Sequence, residues 1–130
     1  MEHVEIDLKV AEKIMKWKVH KDDDGDVISL MTHKDKLLFF CDDPSERDWK
    51  PSLALEQAME VIELLRKKDL FIDIKCDVDG YFLSYYKDGT HYELKRRFQL
   101  GDLPKEICLT ALEAIKPQRK SKMVTYMYIQ

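Results

Sequence analysis

Cysteine, glycine and proline are all scarce in this chain of 130 residues, which contains three cysteines, four glycines and four prolines. Cys41, Cys76 and Cys108 are odd in number and form no C-x-x-C pair, so their spacing predicts neither a disulfide framework nor a zinc site. No apolar run is long enough to span a bilayer, and the acidic N-terminus lacks the pattern of a signal peptide. We therefore expect a reducing, cytosolic location and no membrane partner.

An excess of one charge is also missing. The chain carries 22 basic and 25 acidic residues, for a formal net charge of -3. A charge this small does not by itself indicate a nucleic-acid polymer as the partner. The length suits one domain with a substantial core, and no internal repeat or long linker divides it. We therefore expect residues 1–130 to form a single domain.

Three amphipathic helices are predicted. The clearest lies within residues 51–68, where Ser52 is the expected N-cap. Its apolar stripe at helical spacing consists of Leu55, Ala58, Met59, Ile62 and Leu65. The other two helices are expected at residues 5–17 and between Pro104 and Pro117.

Two short strands are predicted before the central helix, at residues 27–32 and 37–41, around a turn at 33–36. Residues 17–20 alternate apolar and polar side chains, as at the start of another strand. The alternating charges of residues 42–50 predict an exposed loop, from which Trp49 folds back onto the core.

The strongest β signal follows the central helix. Three strands are expected at residues 70–77, 81–87 and 90–98, separated by Asp79-Gly80 and Asp88-Gly89. The Asp-Gly dipeptide favours the type I′ hairpin turn, because both central residues of that turn need a positive φ. The sequence therefore predicts an antiparallel meander of three strands.

Two-residue turns also fix the register of the meander. The first turn would pair Ile74 with Tyr85, and the second would pair Tyr85 with Tyr92. Both turns place the same apolar side chains on the face expected to pack against the central helix: Ile72, Ile74, Cys76, Leu83, Tyr85, Tyr92 and Leu94. The opposite face is polar, with two aromatic residues on it: Asp73, Lys75, Phe82, Tyr86, His91, Glu93, Lys95 and Arg97.

Together these elements predict an α+β fold, an antiparallel β-meander packed with three helices in the order α-β-β-α-β-β-β-α. After Pro117 a basic segment leads into a β-prone run at residues 123–129. We expect this tail to add an edge strand, either to its own sheet or to that of a neighbouring chain.

Five residues of the polar face are the candidate ligand-binding residues: Phe82, Tyr86, His91, Lys95 and Arg97. An aromatic ring can stack on a nucleotide base, and lysine or arginine can neutralise phosphate. The competing interpretation is a solvated sheet face with ordinary cross-strand pairs.

Signals for catalysis and for metal binding are weak. The chain has no Gly-rich phosphate loop, no G-x-S-x-G elbow and no H-E-x-x-H pair. Its cysteines and histidines have no recognisable nucleophile spacing, and the Asp-rich turns at residues 22–26 and 77–80 do not fit a calcium-binding loop. We therefore expect a protein that is not an enzyme and that needs neither a cofactor nor a metal.

Three segments resemble the phage ABA-sandwich domain family. VAEKIMKWK at residues 10–18 is similar to the opening helix of that family, with Lys16 where glycine is usual. Pro51-Ser52 leading into AMEVIE is similar to its central helix, and LPKEICLTALEA at residues 103–114 to its closing helix. The order and spacing of these segments agree across residues 8–116.

The resemblance implies a small phage or prophage protein that acts in the bacterial host cell. Some phage sponges that counter the Thoeris defence look related to this fold. They sequester a cyclic nucleotide signal without cleaving it, and they assemble as oligomers. The resemblance therefore implies a possible cyclic nucleotide ligand and a homo-oligomer. The alternative is a protein–protein interaction module of a prophage with no small-molecule ligand, to which Trp49 and the Tyr-Met-Tyr tail would contribute.

Overall fold

The computed structural model describes residues 1–117, which form three α-helices and two three-stranded antiparallel sheets. The elements are α1 His3–Lys9, β1 Lys18–Lys21, β2 Val27–Met31, β3 Leu37–Phe39, α2 Leu55–Arg66, β4 Leu70–Asp77, β5 Gly80–Lys87, β6 Thr90–Glu93 and α3 Leu103–Ala114. A π-helical turn at Val10–Ile14 continues α1, and a 3-10 turn at Leu100–Asp102 precedes α3. The predicted α+β class is confirmed, and β1 includes most of residues 17–20, which were expected to begin another strand. The predicted tail strand at residues 123–129 lies outside the described residues.

The helices pack on one face of the β4–β6 sheet. α3 packs against β5, α2 packs against β4, and the two helices contact each other. Leu70, Tyr85 and Tyr92 from this sheet share one core with residues of α1, α2 and α3, and Leu30 brings the β1–β3 sheet into the same core. None of the helices within residues 1–117 has the length and apolar character needed to cross a membrane.

The first hairpin turn differs from the prediction by one residue. Asp77 pairs with Gly80, so Val78 and Asp79 are the central residues of the turn. Gly80 has a φ of 131°, and a Cβ at this position would lie 2.8 Å from the carbonyl oxygen of Phe98. The absence of a side chain at Gly80 therefore allows the backbone of Phe98 to approach closely. The Asp-Gly dipeptide alone does not predict this contact.

The pairing of β4 with β5 is therefore shifted by two residues, and the predicted partner of Ile74 is wrong. Ile74 pairs with Leu83 rather than with Tyr85. Because side chains alternate with a period of two, a shift of two leaves every side chain on its predicted face. The second turn has the predicted type I′ geometry, with φ values of 51° and 78° at Asp88-Gly89. It pairs Tyr85 with Tyr92, as predicted.

The apolar face of the meander is only partly covered by the helices. Five of the seven residues predicted for this face pack in the core: Ile72, Leu83, Tyr85, Tyr92 and Leu94. Ile74 and Cys76 are exposed instead. Both lie on the edge strand β4.

The central helix begins later than predicted and is rotated about its axis. Its buried residues are Ala58, Val61 and Leu65, whereas Leu55 and Met59 of the predicted stripe are 45% and 44% exposed. A helical period of 3.6 residues is compatible with burial of the predicted stripe and also with burial of the stripe beside it, which is the one observed. The tertiary contacts of the segment before the helix decide between them.

Ser52 is not the N-cap of this helix. The cap position is Ala54, and no side chain caps the helix there. The backbone amide of Ser52 donates a 2.8 Å hydrogen bond to the Asp7 carboxylate, and Ser52 is buried. A contact with α1, 45 residues earlier in the chain, therefore fixes the segment that leads into α2.

Residues 42–50 form a loop that is mostly exposed, as their charges predict, but Arg47 is buried. Arg47 and Trp49 are both 2% exposed, which confirms that Trp49 folds onto the core. Arg47 forms a 2.6 Å ion pair with Asp7, and both side chains are essentially inaccessible to solvent. The Trp49 indole donates to the backbone carbonyl of Asp7 at 3.1 Å. Asp7 therefore fastens this segment to α1.

We predict that Asp7→Ala lowers the free energy of unfolding by about 3–5 kcal/mol, because it leaves the Arg47 guanidinium buried without its counter-charge. Urea denaturation measures the loss. The matched control is Glu63→Ala, which breaks the Arg66–Glu63 ion pair of the same 2.6 Å length, whose two side chains are more than half exposed. The control should cost less than about 1 kcal/mol. Equal losses in the two variants would contradict the structural role of Asp7.

Candidate functional site

The outer face of the β4–β6 sheet is the side that points away from α2 and α3. Strand pairing arranges its side chains in three rows across the sheet, which are Phe71–Tyr86–His91, Asp73–Ser84–Glu93 and Lys75–Phe82. None of these residues belongs to either apolar core cluster. Lys95 and Arg97 follow β6 in the chain. They lie at the end of the outer face that carries Phe82, which we call the Phe82 end. Two rows that contain aromatic rings therefore flank a row of two carboxylates and a hydroxyl group.

Tyr86 and His91 form a stacked pair at one end of the outer face. Their ring centroids lie 4.4 Å apart with an interplanar angle of 16°. Tyr86 is 39% exposed and His91 is half-buried, so the accessible aromatic surface of the pair belongs mainly to Tyr86. Flat, exposed aromatic rings are the platforms on which nucleic-acid bases stack in binding proteins.

Phe82 and Arg97 form a second pair at the other end. The guanidinium carbon of Arg97 lies 3.9 Å from the centroid of the Phe82 ring. Phe82 is only 9% exposed although it packs in neither core cluster. The outward direction predicted for Phe82 is therefore correct, but its ring is covered by Arg97 rather than presented to solvent.

Asp77 holds Arg97 over the phenyl ring. The Arg97 Nε atom donates to Asp77 at 2.9 Å, and Arg97 also donates to the backbone carbonyl of Lys95 at 3.2 Å. The hydrogen bond from Arg97 is the main reason that the pKa of the Asp77 carboxyl is lowered from its usual range. At neutral pH Asp77 is therefore ionised, and the Arg97 side chain is anchored.

Two polar atoms of the outer face are buried without a hydrogen-bond partner within residues 1–117: Ser84 Oγ and His91 Nε2. Ser84 lies between Asp73 and Glu93 in the middle row of the sheet. A buried polar group without a partner costs free energy, so such groups are uncommon in folded proteins. Ser84 is fully buried, so the middle row of the outer face is closed to solvent at this residue.

The five predicted site residues therefore lie on one face but do not form one cluster. Tyr86 and Phe82 are four residues apart on β5, which corresponds to roughly 13 Å along an extended strand. Lys95 is exposed at the Phe82 end. The sequence prediction missed Ser84, although strand alternation alone places it between Phe82 and Tyr86.

Two chemical properties of the described residues bear on the kind of site they can form. Within residues 1–117 no group of three or more His, Cys, Asp or Glu side chains could hold a metal ion. Burial raises the pKa of the Cys108 thiol far above its usual range, so this thiol is protonated and is not a nucleophile at neutral pH.

The fold is that of a small α+β sandwich domain. The model of the phage ABA sandwich domain matches residues 8–112, which is most of the chain. The protein therefore belongs to the phage ABA sandwich family, as the resemblance of its three helical segments indicated.

A solved structure shares this fold. The 2.0 Å crystal structure of a phage protein from Bacillus cereus ATCC 14579 is similar with a TM-score of 0.59, at 18% sequence identity, and the similarity covers 88% of this chain and 93% of that one. At this identity the similarity concerns the fold alone. No curated protein matches the chain.

We predict that Arg97→Ala raises the pKa of Asp77 towards its usual value, because the variant removes the main hydrogen bond that favours the carboxylate. Carboxyl chemical shifts followed by NMR during a pH titration measure this change. The pKa of Glu63, which is lowered by Arg66 instead, should not respond.

The sign of the associated pH dependence follows from the lowered pKa of Asp77. The Asp77–Arg97 contact stabilises the folded protein above pH about 4, and this stabilisation is lost as the pH falls through the folded-state pKa. If the pKa of Asp77 were the same in Arg97→Ala as in the unmodified protein, Asp77 would not be the residue that anchors Arg97.

Proposed function

We propose that this phage protein binds a small cyclic nucleotide on the outer face of its β4–β6 sheet and sequesters it without cleaving it. The observation that carries the proposal is the Tyr86–His91 stack, in which the ring centroids lie 4.4 Å apart and Tyr86 is 39% exposed. A nucleotide base can stack on the accessible ring of this pair. Base stacking on an aromatic side chain is worth about 1–3 kcal/mol.

The two ends of the outer face suit different parts of such a ligand. Lys95 and Arg97 at the Phe82 end provide positive charge for phosphate, and arginine is well matched to phosphate oxygens. The carboxylates of Asp73 and Glu93 lie in the middle row, where they would repel phosphate but could accept hydrogen bonds from ribose hydroxyls. The base is therefore assigned to Tyr86 and the phosphates to the opposite end.

Sequestration requires tight binding and no chemical step. This suits a face that combines stacking with ion pairing and that has no metal-binding group of side chains within residues 1–117. The proposal includes the cytoplasm of the bacterial host as the site of action and a homo-oligomer as the active form. It includes neither a membrane nor a nucleic-acid polymer as a partner, in keeping with the net charge of -3.

We predict that a cyclic nucleotide raises the melting temperature of the full chain. At about 100 times the dissociation constant, mass action adds about 2.7 kcal/mol to the free energy of unfolding, a rise on the order of 10 °C for a domain of this size. A thermal-shift screen across cyclic mono- and dinucleotides measures it. Analysis of the nucleotide after incubation should return it unchanged.

Tyr86→Ala and Arg97→Ala should each remove most of the thermal shift. The matched control is Arg66→Ala, which removes an exposed, ion-paired arginine that lies on α2 and not on the outer face. This control should leave the shift intact. A screen without any stabilising nucleotide, or a shift that survives Tyr86→Ala, would refute the proposal.

The second candidate function is a protein–protein interaction module without a small-molecule ligand. It is favoured by apolar side chains that the fold leaves exposed on and before α2 and on the edge of β4: Leu53, Leu55, Met59 and Ile74. Exposed apolar side chains mark interaction surfaces when they form a contiguous patch. A silent nucleotide screen together with a stable oligomer in sedimentation would favour this function over the first.

A further inference from the structure

A cavity of about 700 Å³ lies between the first helix, the segment after β6 and the C-terminal half of α3. Its apolar lining consists of Met1, Leu94, Leu109, Leu112, Ile115 and Pro117. Its basic lining consists of Lys9, Lys13, Lys16, Arg96 and Lys116. None of these residues belongs to the outer face, so the cavity is separate from the nucleotide site proposed above.

The charge of this cavity is opposite to that of the whole chain. Five basic side chains and a single acidic one, Glu113, line it, whereas the chain carries a net charge of -3. Arg96 pairs with Glu106 at 2.5 Å, and Lys116 pairs with Glu113 at 3.2 Å. A concave site lined by one sign of charge concentrates the field that attracts the opposite charge.

Lys9, Lys13 and Lys16 have no ion-pair partner within residues 1–117. All three line the cavity, where their like charges repel. A bound anion would relieve this repulsion, because Glu113, the one acidic residue of the lining, pairs with Lys116 instead.

Lys16 also has a strained backbone. Its φ is 60°, in the left-handed region that glycine adopts without cost and lysine does not. The residue ends the first helix, where the amide of Trp17 bonds to the carbonyl of Ala11 at 3.0 Å. Strain of this kind is often found at functional sites. A glycine would satisfy this backbone but would not supply the amine that lines the cavity.

A π-helical turn adjoins the same three lysines. It runs from Val10 to Ile14, between Lys9 and Lys16, and its backbone bond joins the amide of Met15 to the carbonyl of Val10 at 3.0 Å. π turns are rare and occur frequently at functional sites. Two costly backbone features therefore border one basic cavity.

We infer that this cavity binds an amphipathic organic anion, with its apolar body on the leucine lining and a single phosphate or carboxylate group held by Lys9, Lys13 and Lys16. An apolar floor with a few convergent charges is the usual design of a small-molecule site. The volume admits a chain of several carbon atoms beside the charged group.

Isothermal titration of the full chain with octyl phosphate, octanoate, inorganic phosphate and octanol tests the inference. Octyl phosphate or octanoate should bind at least about tenfold more tightly than either inorganic phosphate, which lacks the apolar body, or octanol, which lacks the charge. The two alkyl anions distinguish a phosphate ester from a fatty acid as the natural class. Absence of binding at millimolar concentration, or equal affinity for octanol, would overturn the inference.

Lys16→Gly gives the sharpest variant, because stability and binding should change in opposite directions. The melting temperature should rise as the strain is relieved, and the affinity for the alkyl anion should fall about three- to tenfold. Lys16→Arg should retain the affinity. Lys13→Gln, which leaves the backbone unchanged, should reproduce the loss.

The matched control is Asp35→Gly, at a residue with a similar φ of 58° that does not line the cavity. This change should leave the affinity unaltered. An affinity that is unaffected by both Lys16→Gly and Lys13→Gln would overturn the assignment of the cavity, whatever the outcome of the nucleotide screen.

Discussion

A carboxylate and a guanidinium that are both shielded from water hold the helical side of this molecule together. Removing one partner of such a pair leaves an uncompensated buried charge, so the two chain segments that carry Asp7 and Arg47 have to meet in the folded state. The Asp7 carboxylate also accepts from the backbone of Ser52, and its carbonyl accepts from Trp49. One residue of α1 therefore sets the path of the chain into α2, and with it the side of α2 that is buried.

The position of the helices determines what the two faces of the β4–β6 sheet can do. Because α2 and α3 occupy one face, the polar residues of the other face are not part of the core and can be arranged for binding. The same packing leaves a basic cavity where the first helix meets α3. The molecule therefore offers two surfaces of different chemistry, one on a sheet face with aromatic rings and one concave and cationic.

The parts of this structure that follow from local sequence were predictable. The alternation of side chains predicted the strands of the meander and its two faces. The first turn shifts the strand pairing by two residues, and a shift of two leaves each side chain on the same face. The register predicted from Gly80 was wrong because this glycine does not serve the turn. It leaves room for the backbone of Phe98, a contact that is distant in sequence. Arg47 looks locally like a surface charge, and only its contact with Asp7 reveals that it is buried. The contact of Arg97 with the Phe82 ring could not be predicted either, because a cation above an aromatic ring produces no periodic pattern in the sequence.

The direct test of the central claim, that Asp7 fastens the segment before α2 to α1, is native-state hydrogen exchange of two protons in the unmodified protein. These are the backbone amide of Ser52 and the indole N–H of Trp49, both of which donate to Asp7. If the claim holds, both exchange only through global unfolding, with the same opening free energy as the buried amides of α3. Exchange of either proton through a local opening of distinctly lower free energy would contradict it.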